Sequence, residues 1–239
     1  MEKAGLYDKL QGELIVSCQA ESESPLHGPE FMSAMAQAAF DGGAAGIRAE
    51  GAEDLRAIKS RLDLPLVGII KKHGYGTEVY ITPSVNEVEE LIRIGVDVVA
   101  FDATDRPRPR DSSLNEIIEL IGREEAISMA DVSNYREGIR AAKIGVDMVA
   151  TTLAGYTNYT AEMSGPQLKL VERLAADIDI PVIAEGKIRK PETARRAVEL
   201  GAHAVVVGSA ITRPHEITRT FVSEIRSKKS REKKIGHDS

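Results

Sequence analysis

At 239 residues, with 42% hydrophobic and 28% charged residues, the chain fits one large α/β domain with a sizeable core. Its net charge is −6, yet residues 226–239 hold six Lys/Arg against two Asp/Glu, so the remainder is strongly acidic. That balance argues against a nucleic-acid-binding surface and requires any anionic ligand to find a local positive site. No apolar run approaches the ~20 residues of a membrane span, and no signal-peptide pattern opens the sequence. The single cysteine, Cys18, excludes an intrachain disulfide and a cysteine-rich metal site. The expectation is a cytoplasmic chain that engages neither membrane nor nucleic acid.

The predicted elements alternate strand and helix eight times. Leu14–Gln19 is the first strand, followed by an alanine-rich helix within HGPEFMSAMAQAAFDGG that Gly42 and Gly43 close. Ala44–Ala49 is strand 2, Ala52–Leu62 its helix, and Leu66–Lys71 strand 3, which leads into a long loop, KHGYGTEVYITPS. Helix 3 covers Val85–Ile94, strand 4 Val96–Asp102, helix 4 Leu114–Gly122, strand 5 Ala126–Asp131 and helix 5 Tyr135–Ile144. Strand 6 is Asp147–Thr151, and a loop carrying GYTNYT precedes helix 6 at Pro166–Asp177. Val182–Ala184 and Ala204–Val207 are strands 7 and 8, with an amphipathic helix between them, and Glu216–Arg226 closes the ring. IGVDVVAFDAT, IGVDMVATTLA and LGAHAVVVGSA share one grammar: a glycine ends a helix and a short turn delivers a buried strand. Continuous Val/Ile/Ala runs separated by helices read as parallel strands buried on both faces. Eight such units predict a closed (β/α)8 TIM barrel, a single domain over 1–225, with 226–239 as a basic, flexible tail, either a solvated charged end or a docking segment.

Chemistry in such a barrel sits at the C-terminal ends of the strands. The polar residues there are Ser17, Gln19, Arg48, Lys71, Asp102, Asp131, Thr151, Thr152 and Glu185. Lys71 ends LVGIIK and Glu185 follows PVIA, and burying either charge without a use is costly. Asp131 also reads as a helix N-cap, since Ser133 and a helix follow it. Glycines after strands 7 and 8, Gly186 and Gly208, let a phosphate approach backbone N–H groups, and Arg213 adds a forked cation. The plainer reading of those glycines is a pair of tight turns. No GxGxxG follows strand 1, and His27, His73, His203, His215 and His237 are scattered, so neither a nicotinamide cofactor nor a metal is expected. His203, in the turn into strand 8, reads as structural.

The motifs LIVSCQA (14–20), AAGIRAEG (44–51), GIIKK (68–72), EVYITP (78–83), FDATDRPRP (101–109), MADVS (129–133), TTLAGYT (151–157), AEGKI (184–188) and VVGSAITRP (206–214) run through the strand ends in order. Together they resemble the N-acetylmannosamine-6-phosphate 2-epimerases over about residues 10–225. The resemblance implies a phosphate-binding βα barrel that interconverts N-acetylmannosamine 6-phosphate and N-acetylglucosamine 6-phosphate during sialic acid use. It implies Lys71 and Glu185 as catalytic residues. It implies Ser17, Gln19, Arg48, Asp131, Thr152 and Tyr156 on the sugar, and Gly186, Lys187, Gly208, Ser209 and Arg213 on the phosphate. Glu50 departs from the related motif IRAQG. The partner implied is a small phosphorylated amino sugar, and a homodimer is left open. Two alternatives stand beside this: another sugar-phosphate isomerase or lyase on the same barrel, and a non-catalytic sugar-phosphate sensor.

Overall fold

The computed structural model describes residues 3–74, 76–109 and 112–235. Eight parallel strands close into a barrel in sequence order. They are β1 (Leu14–Cys18), β2 (Gly46–Glu50), β3 (Leu66–Ile69), β4 (Val98–Asp102), β5 (Ile127–Asp131), β6 (Met148–Ala150), β7 (Val182–Glu185) and β8 (Ala204–Val207). β1 closes the ring against β8, with Ile15 opposite Val206. The helices around them are α2 (Pro29–Asp41), α3 (Ala52–Arg61), α4 (Val85–Ile94), α5 (Leu114–Arg123), α6 (Tyr135–Lys143), α7 (Leu168–Asp177) and α8 (Pro191–Glu199). The three glycines of the repeated grammar, Gly95, Gly145 and Gly201, all take left-handed φ values of +78°, +90° and +96°. A side chain would be strained there, which explains why glycine ends each helix.

Each strand is apolar on both faces, and the period of two sorts its residues. Val16, Ile47, Val99, Phe101, Val149, Val182 and Val205 pack outward under the helices. Ile15, Val67, Ile69, Ala100, Met129, Ala150, Ile183 and Val206 fill the barrel interior. Continuing the inward parity one step past the core reaches Ser17, Lys71, Asp102, Asp131, Thr152, Glu185 and Gly208. The alternation that builds the core therefore also aims most of these groups at the mouth, with Asp102 turned instead to Arg106.

Three features were not anticipated from the sequence. A first helix, α1 (Lys3–Leu10), buries Leu6 and Leu10 against the interior residues and covers the floor of the barrel. His203 donates its Nε2–H to the Tyr7 carbonyl of this helix at 3.0 Å, which fits its structural reading. β3 ends at Ile69, and Lys71 instead forms an isolated antiparallel bridge with Ile81, so the long loop folds back on the strand. After a short helix, α9 (Ser209–Thr212), the last helix α10 runs from Pro214 to Ile235, well past Arg226. It leaves Phe221 67% and Ile225 65% exposed. A groove of about 560 Å³ beside α8, lined by Leu14, Ile188, Ala194, Val198, Val207 and Ile211, stays uncovered. His237 and the rest of 236–239 lie outside the described residues. Among the described residues no helix is long and apolar enough to cross a membrane.

Candidate active site

A cavity of about 380 Å³ opens at the C-terminal ends of the strands, and both Lys71 and Glu185 line it. Ser17, Gln19, Arg48, Thr152, Tyr156, Gly186, Lys187, Gly208, Ser209 and Arg213 share its wall. Asp131 lies just behind, fully buried.

The centre is a buried charge cluster. Arg48 on β2 donates to both oxygens of Asp131, at 2.5 and 3.1 Å, and to Glu185 Oε2 at 2.8 Å. Thr152 Oγ1 lies 2.6 Å from Asp131 Oδ1 and 3.0 Å from Glu185 Oε2, so its single proton serves one carboxylate at a time. Burial pushes the Glu185 carboxyl up to about 7, with Arg48 pulling it down and Asp131 pushing it further up. The N-cap alternative for Asp131 is excluded, because Asn134 caps α6 by accepting the Glu137 N–H at 3.1 Å.

Lys71 sits in a second, weaker chain. Its Nζ donates to Gln19 Oε1 at 2.8 Å, and Gln19 Nε2 donates to Ser17 Oγ at 2.8 Å. Burial is the largest influence on Lys71 and lowers its pKa, with Arg48 and Arg213 acting the same way and Glu50 and Glu21 opposing. The lysine is thus shifted toward its neutral form, in the same cavity as a carboxyl shifted toward its protonated form. Such a pair is fitted to take a proton from one atom and give one to another.

The two glycine turns frame the remaining wall. Gly186 has φ +111°, and Gly208 lies so close to Ser17 that an added Cβ would stand 3.3 Å from the serine Cβ. Arg213 Nη1 is 3.1 Å from both Glu21 and Glu216. The Lys187 ammonium donates to the Met163 carbonyl at 2.6 Å and that of Gly155 at 3.2 Å, above the Tyr156 ring. Its ammonium is therefore committed to the loop after β6.

Two strand-end residues are not at the mouth. Asp102 pairs with Arg106 at 2.5 Å and accepts from Thr104, holding the loop after β4. Thr151 has the outward parity, and its hydroxyl donates to the Glu185 carbonyl at 2.9 Å. Conversely, Tyr80 and Glu21 line the cavity although neither ends a strand. Tyr80 stacks on His73 with ring centres 5.2 Å apart, and burial raises its phenol. Its signal was the length of the loop after strand 3, which the Lys71–Ile81 bridge folds over the mouth.

A closed barrel with a half-buried lysine and a proton-holding carboxyl at its mouth defines an enzyme of the (β/α)8 class. The family described as "Putative N-acetylmannosamine-6-phosphate epimerase" matches residues 32–227. A protein of Clostridioides difficile called "Putative N-acetylmannosamine-6-phosphate 2-epimerase" is 51% identical over 220 residues, covering 92% of this chain and 99% of that one. One of the same name from Caldanaerobacter subterraneus is 49% identical, covering 94% and 95%. The solved N-acetylmannosamine-6-phosphate 2-epimerase of Clostridium perfringens superposes with a TM-score of 0.89 at 45% identity, covering 91% of this chain and 95% of that one. The chain belongs to the N-acetylmannosamine-6-phosphate 2-epimerase family.

Proposed function

We infer that the chain interconverts N-acetylmannosamine 6-phosphate and N-acetylglucosamine 6-phosphate by removing and returning the proton on the carbon that bears the N-acetyl group. That hydrogen is acidic only next to an open-chain aldehyde, so the enzyme must open the ring, take the proton and hold the enolate. Neutral Lys71 takes the proton from carbon, and the electron pair moves onto the aldehyde oxygen. Return of a proton to the opposite face gives the epimer. Glu185, kept partly protonated, serves the sugar hydroxyl and ring oxygen during opening and closing. Arg48, held by two carboxylates, presents positive charge where the enolate oxygen develops. Ser17, Gln19, Thr152 and Tyr156 orient the sugar, and Asp131, behind the cavity, holds Arg48 and Thr152 in place for it. Gly186, Gly208, Ser209 and the main chain of Lys187, with Arg213, hold the phosphate, whose binding energy fixes the reacting carbon beside its base.

One observation carries this reading: Lys71, with its pKa lowered by burial, lines the same cavity as Glu185, with its pKa raised. A coupled assay for the epimerised sugar phosphate tests it. Lys71→Ala should lose ~10²–10⁴ in rate, and a loss below tenfold would assign the proton to another residue.

The same reading includes a role in sialic acid catabolism, a cytoplasmic site of action and a homodimer. A phosphorylated substrate and a buried free thiol at Cys18 support the compartment. Exposed Phe221 and Ile225 on α10, together with the uncovered groove beside α8, support a second copy.

A further inference from the structure

Glu50 ends β2 two residues after Arg48 and so has the same inward parity. It is half-buried, yet it is not part of the cavity wall. Its Oε1 accepts the main-chain N–H of Lys71 at 3.3 Å. This bond falls where β3 has left the barrel ladder: Glu50 pairs with Ile69, and the chain beyond Ile69 turns to bridge Ile81. The lysine that must point at a carbon therefore sits on backbone whose regular pairing has ended, and Glu50 supplies a fixed point for it.

We propose that Glu50 is the positioning residue for Lys71, its carboxylate anchoring the lysine main chain and setting negative charge against the amine from behind the cavity. The inference rests on Lys71 being the carbon base. The amine is faced by Gln19 and Glu21 from the loop after β1, Arg48 and Glu50 from β2, Glu185 from β7, and Arg213 after α9. Tyr80 lines the same wall from the folded-back loop. Glu50 itself is faced by Asp54 of α3, which has Glu53 and His27 nearby. Among these charges Glu50 acts most strongly on Lys71, and it acts alongside Glu21 to hold the ammonium form against burial, Arg48 and Arg213. Arg48 and Arg213 alone would release the proton more readily but leave a weaker base. Glu50 keeps the amine basic enough to take a proton from carbon.

The test separates anchor from charge. Glu50→Gln keeps an oxygen for the Lys71 N–H and removes the charge, Glu50→Asp keeps the charge on a shorter stem, and Glu50→Ala removes both. The rate of acylation of Lys71 by a neutral amine reagent, followed by peptide mass spectrometry across pH, reads its ionisation without catalysis. In Glu50→Gln the labelling midpoint should fall by about one pH unit. Its kcat/KM at acid pH should exceed wild type several-fold, because more lysine is neutral there. Glu50→Asp should keep a midpoint near wild type. Glu50→Ala should show the same fall and, in addition, a lower kcat that Gln restores. An unmoved or raised midpoint in Glu50→Gln overturns the proposal. So would failure of both the Gln and Asp variants to fold, which would make Glu50 a stability residue. A lowered midpoint with no change in the pH dependence of kcat/KM leaves Glu50 acting on Lys71 and removes Lys71 as the base, so the two failures are distinct.

Discussion

Arg48 is 1% exposed, a depth that a guanidinium tolerates because Asp131 and Glu185 both face it. Replacing it with methionine would leave two carboxylates close together with no counter-charge. Arg48→Met should lose about 3–5 kcal/mol of stability in urea unfolding, the range expected when one partner of a buried pair is removed. Glu185 makes a pH prediction. Its folded-state pKa stands above the ordinary 4.5, at about 7, so between those values the folded chain keeps a proton that the unfolded chain releases. Stability from this group is full below the lower value and is lost as pH rises through the upper one. Glu185→Gln should flatten the fall in unfolding free energy across that window, and an unchanged slope would place the proton elsewhere. Activity should decline toward acid pH, where Lys71 holds its proton, and toward alkaline pH, where Glu185 gives its proton up. Much of this cluster is legible in sequence, because each member ends an apolar run at the inward position. The pairing of Arg48 with both carboxylates is not, since it joins residues 83 and 137 positions apart.

The elements were legible for the same physical reason and failed where that reason fails. Buried parallel strands announce themselves as apolar runs, and αL glycines mark the turns before them. α1 carries only Leu6 and Leu10 as buried anchors in a short, weakly amphipathic stretch, so periodicity gave no warning of it. The fold-back at Lys71–Ile81 depends on Thr82, a β-branched residue at φ +43°, held by the Ile70 carbonyl at 2.8 Å and bonding the Ala100 carbonyl at 2.7 Å. Nothing in residue type signals a threonine in that conformation. The glycine turn after β8 reads in sequence as a phosphate approach, and the structure adds that Gly208 also leaves room for Ser17, the end of the Lys71 chain. Gly208→Val would therefore disturb both functions. Arg213→Ala is the cleaner test: it should raise KM for the sugar phosphate with kcat less affected and little change in unfolding. An unchanged KM would remove Arg213 from the phosphate site.

At the scale of the molecule, α10 is the part that the barrel does not account for. It contacts α9, but its Phe221 and Ile225 remain exposed while the groove beside α8 lies open. Exposed apolar side chains beside an open apolar groove fit the second copy proposed above. With a second copy covering it, wild-type protein should have the mass of two chains by light scattering. Phe221→Glu with Ile225→Glu should shift it to one. A wild-type mass of one chain would contradict the homodimer.

The central claim, that Lys71 moves the proton on the carbon bearing the N-acetyl group, is tested most directly by running the reaction in deuterated water and following that carbon by proton NMR. Wild-type enzyme should place deuterium there as epimer forms, and Lys71→Ala should lose exchange and epimerisation together while retaining its fold. Exchange at that carbon persisting in Lys71→Ala at near the wild-type rate would contradict the account.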